Sequence, residues 1–362
     1  MTTIPSTTKS IVLQTSLPSE TPTWHKTSIL DVPLRPRTKD EVTVRIISFS
    51  LNHRDVWIRK GLYPGILSSS ILGSDCTGII IDPIDHPLHA QQVLIYPALN
   101  WLKDPRGPDI KGKPFGILGG TKLSKGLGTF TEYINVLSSH CKPIPSHMIG
   151  PSAACIPLAG LTAYRIVLTK AKIKPNMNVL VTGIGGGVAT FVLQFCLALG
   201  ARVWVSSGSE EKMKLAKDLG AQDGVNYKQN DWPSRLVSLL PEDEPLLDVV
   251  IDSSGGDILQ KCRKLLRDGG QIVSYGSTTG SPISITMSEV LKNLEIKTST
   301  MGSLQEFHEM IDFIEAHQIK PIIFKTLLGF ESVEEAFEIL KDGKQFGKVV
   351  VEISKGSTSL KL

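Results

Sequence analysis

The segment VLVTGIGGGVAT, Val179–Thr190, runs from a continuous apolar strand pattern into a helical one through a turn made almost wholly of glycine. The strand breaks at Gly183; Gly185, Gly186 and Gly187 follow, and VATFVLQFCLALG then carries the helix period. Glycines at such a turn let the backbone approach a pyrophosphate, while the next helix offers unpaired N–H groups and a partial positive charge. The strict GxGxxG register fails at Val188, yet Gly183-x-x-Gly186-x-x-Ala189 keeps a variant spacing. Taken alone, the motif reads equally well as a structural turn.

Its surroundings favour the ligand reading. After Pro151 the chain alternates strand and helix: NVLVTG, a helix, ARVWVSS, the helix SEEKMKLAKDLG, GVNY, a helix, LLDVVIDSS, a helix, and QIVSYG. Apolar strands joined by helix-length crossovers make a parallel sheet covered on both faces, so an α/β, doubly wound fold is expected. With the glycine turn on the first strand of this array, Gly183, Gly186, Gly187 and Val188 become candidate dinucleotide contacts. The next strand, ARVWVSSGSEEK, ends without the carboxylate that would bind the ribose 2′-OH of NAD. Ser206, Ser207 and Lys212 suit a 2′-phosphate instead, which points to NADP(H). The competing reading has the serines cap the following helix and leaves Lys212 on a solvated face.

From Lys9 to about Ser146 the texture is different. KSIVLQT, EVTVRIISFSL, TGIIID, QVLIYP and TFTEYINVL are short strands punctuated by Gly and Pro, as in a β-rich barrel or sandwich. Pro97 to Leu127 has no period and reads as a long surface loop, ordered or mobile. The tail KPIIFKTLLG, ESVEEAFEILKDG, KVVVEIS returns to strand, helix and strand, and completes the first domain.

With 362 residues the chain exceeds the usual ~100–200 of one domain. No apolar run reaches the ~20 residues that cross a membrane. Lys and Arg number 39 against 35 Asp and Glu, and the charges are scattered, so no nucleic-acid face is written here. Cys76, Cys141, Cys155, Cys196 and Cys262 lie far apart without a CxxC, the pattern of reduced, buried thiols. The start MTTIPSTTKSIVLQ lacks an apolar h-region, and a cytoplasmic location is expected. The closing Leu360-Lys361-Leu362 reads either as a variant of the peroxisomal Ser-Lys-Leu signal or as a frayed end.

LNHRDVWIRKGLYPG, ILGSDCTGIII, GTFTEYINV, PLAGLTAYR, VLVTGIGGGVA, GVNYK and QFGKVVVEI, in this order, resemble the medium-chain dehydrogenase/reductase superfamily, and within it the zinc-lacking quinone oxidoreductase and enoyl reductase branch. The resemblance implies a GroES-like catalytic domain, residues 1–149 and 301–362, and an inserted Rossmann domain, residues 150–300, with the active site in the cleft and a homodimer as the assembly. It implies that Thr162, the turn Gly276-Ser277, the pair Gly347-Lys348 and Tyr227 line the cofactor. It places the catalytic zinc ligands of alcohol dehydrogenases at Asn52, Ser74 and Leu158, none of which matches, and finds no cysteine in the Pro97–Leu127 segment for a structural zinc. No metal is expected. His86 and His89 have an HxxH spacing but sit in a Pro-bounded loop and read as exposed.

The lost ligands bear on the chemistry. A metal lowers the pKa of its bound water from 15.7 to ≈ 7, worth roughly 12 kcal/mol, whereas preorganised donors supply about 3–4 kcal/mol each. Oxidising an unactivated alcohol needs the larger help; reducing a quinone, enone or enal does not, because the incoming charge spreads onto oxygen. The expected activity is therefore zinc-independent, NADPH-dependent reduction of such acceptors. Tyr63 matches the tyrosine of related enoyl reductases and is the candidate proton donor, since a phenol stays protonated at neutral pH; the alternative is a turn tyrosine packed beside Pro64. Asn52 is the other candidate, either hydrogen-bonding substrate or cofactor or capping the helix at HRDVW. Asp55 and Asp75 read as partners of Arg54 or Arg59. Competing functions are a noncatalytic, crystallin-like or regulatory NADPH-binding protein and a zinc alcohol dehydrogenase with replaced ligands.

Overall fold

Branched and aromatic residues dominate the N-terminal part of the chain, and they form strands. In the computed structural model, which describes residues 4–15, 23–148 and 150–353, these are β1 (Thr7–Gln14), β2 (Lys26–Pro33), β3 (Glu41–Ser50), β4 (Asp75–Asp82), β5 (Gln92–Ile95), β6 (Ala98–Leu99), β7 (Gly116–Ile117), β8 (Tyr133–Leu137) and β9 (Cys141–Pro143). Helix α1 (His53–Arg59) lies between β3 and β4. The chain then runs through α2 (Pro157–Tyr164), β10 (Asn178–Val181), α3 (Gly187–Ala198), β11 (Arg202–Ser207), α4 (Glu210–Asp218), β12 (Asp223–Asn226), α5 (Trp232–Val237), β13 (Leu247–Asp252), α6 (Ile258–Cys262), β14 (Leu266–Ser274), α7 (Met287–Leu291) and β15 (Glu295–Thr298). It closes with α8 (Leu304–Ala316), β16 (Ile323–Leu328), α9 (Val333–Asp342) and β17 (Lys348–Glu352).

The described chain divides into two units, one of residues up to Ala159 with those from Ser303 on, the other Gly160–Gly302. The first unit is GroES-like. A seven-stranded sheet runs in the order β16-β17-β3-β4-β5-β9, with β8 also on β3, and β1 pairs with β2 in a separate ladder. The closing strand β17 is antiparallel to β3 through Val350↔Ser50, Val351↔Phe49 and Glu352↔Ser48, so the chain's tail completes this sheet. Helix α9 buries Val333, Ala336, Phe337 and Leu340, the i, i+3, i+4, i+7 stripe of an amphipathic helix. The change of texture at Pro151 precedes the division because the Gly150–Cys155 segment stays with the first sheet, where the Ser50 hydroxyl donates to the Ala154 carbonyl.

The second unit is an all-parallel, Rossmann-type sheet in the order β12-β11-β10-β13-β14-β15. Val179, Leu180, Val181, Val249, Val250 and Ile251 have no solvent exposure, as expected of strands covered on both faces. The order reverses between β10 and β13, the place where open α/β sheets leave a crevice. No helix of the described residues is long and apolar enough to cross a membrane.

Three elements have no clear sequence signature. Strand β2 is mostly exposed, β9 has three residues, and β15 carries Glu295 and Lys297 at the sheet edge. The Pro97–Leu127 segment is more than a surface loop: Trp101 is fully buried and edge-on to Phe115, and Leu118 joins the core. The Asp109 carboxylate accepts the N–H groups of Leu102, Lys103 and Asp104, a carboxylate clamp on a turn. Leu360-Lys361-Leu362 lies outside the described residues.

Gly73 fixes the start of β4. Its φ is +88°, and a Cβ built there would lie 2.0 Å from Cδ1 of Phe130, whose ring stacks on Phe49 with centroids 4.3 Å apart. Gly73→Ala is therefore expected to lower stability by at least about 2 kcal/mol, from left-handed strain plus overpacking. Urea unfolding checks this, and a loss below about 0.5 kcal/mol would show that the ring has room to move.

Candidate active site

In the β-rich unit, the turn from β3 into α1 places Asn52 at the helix N-cap, where it and Asp55 form a capping box. The Asp55 carboxylate takes the Asn52 N–H at 2.9 Å, and the Asn52 carboxamide turns inward. Its Oδ1 accepts from Lys348 Nζ at 2.6 Å, and its Nδ2 donates to Asp75 Oδ2 at 2.9 Å and, at 3.5 Å, to Ser74 Oγ. The ammonium on one end and the carboxylate on the other fix which end is oxygen and which nitrogen.

Asp75 opens β4 and is fully buried; its Oδ2 also accepts from Ser50 Oγ at 3.3 Å, and its Oδ1 takes the Leu158 N–H at 2.7 Å. Lys348 opens β17 and is the only buried lysine among the described residues. Its three ammonium protons go to the Leu51 carbonyl at 2.8 Å, Asn52 Oδ1 and Asp75 Oδ2 at 2.9 Å. This corrects one expectation: the partner of Asp75 is Lys348, not Arg54 or Arg59. Gly347, with φ +100°, stands against the Ile322 carbonyl, where a Cβ would come within 2.2 Å.

Arg54 donates to the carbonyls of Leu118 and Gly119 and lies over the Tyr63 ring, 4.9 Å from its centroid. Tyr63 is half-buried and packs against the core, held by a cation on its face as well as by its own turn. Arg59 is sandwiched between Trp24 and Phe337 and pairs with Glu334. Cys76 is buried and burial pushes its thiol far up, so it packs and does not react; the other cysteines are buried and free as well. His86 is half-buried, not exposed. Its Nδ1 accepts the Leu88 N–H and its Nε2 bonds Ser138 Oγ at 2.7 Å. Among the described residues no group of three or more His, Cys, Asp or Glu is placed to hold a metal ion.

In the Rossmann unit the glycine turn is open. Gly183 and Gly185 have φ of +63° and +132°, which glycine adopts without strain. Gly186 caps α3 in extended backbone, with nothing within 4 Å of where a Cβ would stand. Gly187 and Val188 form the first turn of α3, whose free N–H groups face outward from the helix start. The Ile184 N–H binds the Ser206 carbonyl at 2.9 Å, tying this turn to the end of β11. Gly276 packs against the Ser253 carbonyl, so the Gly276-Ser277 turn adjoins the end of β13. Thr162, on α2, directs its hydroxyl to the Met301 sulfur at 3.8 Å.

Ser206 and Ser207 are buried at the end of β11, where the Ser207 hydroxyl oxygen takes the Ser209 N–H. Ser209, not Ser206 or Ser207, caps α4 by accepting the N–H of Lys212. Across Gly208 stand Tyr227 Oη and Lys228 Cε, 2.9 and 2.7 Å from a hypothetical Cβ. Lys228 and Tyr227 therefore stand together beside the end of β11. The nearby Glu210 carboxylate is held by Asn226 Nδ2 at 3.0 Å. Sequence reasoning also missed Asp252. Its carboxylate accepts Thr182 Oγ1 and Ser254 Oγ, each at 2.6 Å, and the N–H groups of Ser254 and Gly255. The run Asp-Ser-Ser-Gly-Gly carries the signal of such an Asx-type turn.

A doubly wound unit with an open glycine turn at the sheet's reversal, and a GroES-like unit with a buried polar cluster, define a dehydrogenase-class oxidoreductase. Residues 38–146 match the alcohol dehydrogenase GroES-like domain and residues 187–316 the zinc-binding dehydrogenase domain. The zinc-type alcohol dehydrogenase-like protein YogA of Leptosphaeria maculans is 40% identical over 87% of this chain and 91% of its own. The acryloyl-coenzyme A reductase of Sulfurisphaera tokodaii is 26% identical over 89% of this chain and 95% of its own. A solved NAD-dependent alcohol dehydrogenase is 30% identical with a TM-score of 0.82, covering 96% of this chain and 100% of that one. The chain belongs to the medium-chain dehydrogenase/reductase superfamily.

Asp55 is fully buried, with Oδ1 unbonded and 3.6 Å from the Arg54 guanidinium. Burial pushes its carboxyl up to about 6, against the opposing pull of Arg54 and of the Asn52 N–H. The folded state thus holds this proton more tightly than the unfolded chain, so the group's contribution to stability falls as pH rises from about 4 to about 6. Asp55→Asn is expected to be more stable than wild type above about pH 6, by about 1–3 kcal/mol, with the gain fading toward about pH 4. Urea unfolding of both proteins across this range checks it; a pH-independent difference would show that Asp55 keeps its ordinary affinity.

Proposed function

We propose that the protein is a zinc-independent reductase of quinones or α,β-unsaturated carbonyls that takes hydride from NADPH. The observation that carries this reading is the Lys348 ammonium bonded to Asn52 Oδ1 and Asp75 Oδ2. A zinc ion needs converging lone pairs from Cys, His or carboxylate. Here the Asn52 and Asp75 oxygens already carry a cation, and Leu158 offers an N–H that Asp75 takes. That donor set does not fit zinc. The name of the Sulfurisphaera relative, a reductase of an activated double bond, agrees with the reading.

Hydride adds to the carbon β to the carbonyl, or to the quinone ring, and the electron pair moves to the carbonyl oxygen. Asn52 hydrogen-bonds that oxygen, and Tyr63 or a water supplies the proton that completes the reduction. For the cofactor, the solved relative named as NAD-dependent supports a nicotinamide. The end of β11 favours its phosphorylated form, because Ser206 and Ser207 sit there with Lys228 beside Gly208 and Lys212 on the following helix, and the Glu210 carboxylate is engaged by Asn226. The exposed apolar residues Ile285, Met287, Val290 and Leu291 support a homodimer.

Chelator-treated, dialysed protein mixed with NADPH or NADH and a panel of quinones, enals and enones tests the reading by loss of nicotinamide absorbance. NADPH is expected to be preferred at least about tenfold, Lys212→Ala to raise KM for NADPH about tenfold without changing that for NADH, and Tyr63→Phe to lower kcat about 100-fold. Alcohol oxidation that appears only with added zinc would overturn the proposal. Tight NADPH binding with no turnover would replace it with a noncatalytic role.

A further inference from the structure

We infer that Lys348 is a positioning residue: its ammonium, with Asp75, locks and polarises the Asn52 carboxamide, which donates a hydrogen bond to the substrate oxygen. The inference rests on the reductase reading above and deepens it. Three features of the cluster carry it. First, all three Lys348 protons are used inside the unit, so the residue acts through its neighbours. Second, turning the Asn52 carboxamide over would set its NH2 against the ammonium and its oxygen against Asp75, so the charges hold one orientation. Third, of the two Nδ2 protons one makes a good bond to Asp75, while the other meets only Ser74 Oγ at 3.5 Å, the limit of such a contact.

That loosely held N–H is the donor with capacity to spare, and Asn52 is slightly more exposed, at 6%, than Lys348 at 4%, Ser50 or Ser74 at 0%. A cation on Oδ1 draws electron density through the amide and strengthens Nδ2–H as a donor. The pair Lys348–Asp75 is neutral as a whole. The site therefore presents an oriented dipole to a carbonyl oxygen that gains charge during reduction, with no net charge to attract anions in the resting state.

The test uses the full-length protein, with Lys348→Ala, the charge-free pair Lys348→Met/Asp75→Asn, which leaves no lone buried charge to unfold the chain, and ethylammonium as the added probe. NADPH affinity is read by nicotinamide fluorescence, kcat with the best acceptor by absorbance. Both variants are expected to bind NADPH within about twofold of wild type while kcat falls about 10- to 100-fold. Ethylammonium should restore part of the kcat of Lys348→Ala and leave the wild type and the charge-free pair unchanged. Weaker NADPH binding with kcat intact would assign Lys348 to the cofactor and overturn the inference. A charge-free pair as fast as wild type, or no recovery with ethylammonium, would overturn it too. A wild type that reduces no acceptor sinks the reductase reading, and the inference with it, whereas an active wild type beside an equally active charge-free pair removes the inference alone.

Discussion

An ammonium ion is held away from water inside the β-rich unit, and much of the chain path around it follows from the need to neutralise it. Lys348 stands at the start of the last strand, yet its partners come from the end of β3, the turn after it and the start of β4. Desolvating the two charges costs several kcal/mol per ion, so the pair adds little net stability; removing one partner alone costs about 3–5 kcal/mol because the other is stranded. The tail is thus tied to the N-terminal sheet by a constraint more specific than the ladder Val350↔Ser50 and Val351↔Phe49, which apolar strands of other sequence would also make.

The same constraint explains the tight packing just before Asp75. For its carboxylate to meet Lys348, Asn52 and the Leu158 N–H, β4 must begin at one place. Gly73 sets that place by lying against the Phe130 ring, and Phe130 is itself stacked on Phe49 of β3. A sheet register, an aromatic stack and an ion pair therefore share one set of residues. A change in any of them reaches Asn52.

The elements that announced themselves in the sequence are those with a local period. NVLVTG, ARVWVSS, LLDVVIDSS and KVVVEIS became β10, β11, β13 and β17, and ESVEEAFEILKDG became α9, because burial on both faces or along one stripe leaves its mark within a few residues. Strand β2 left none, since its outward residues Ile29 and Leu30 are apolar and exposed. The glycine turn was legible for the same reason as the strands: Gly183 and Gly185 take backbone angles that other residues resist. The polar cluster was only half legible. Asn52 and Lys348 stood out as single residues, but they are far apart in sequence, and nothing local to either says that one binds the other. Trp101 and Asp109 were hidden in a segment without period for the same reason.

The two buried strand-end carboxylates show how differently one problem can be solved. Asp75 is balanced by a cation, and the surplus of its bonding goes to orienting an amide. Asp252, in the other unit, has hydroxyl and N–H partners from Thr182, Ser254 and Gly255 and no cation among its bonds. Hydroxyl and N–H donors satisfy its oxygens but bring no opposite charge. In the first unit the charge is cancelled where it stands, and the Asn52 carboxamide bridges the two partners, its oxygen on the ammonium and its nitrogen on the carboxylate.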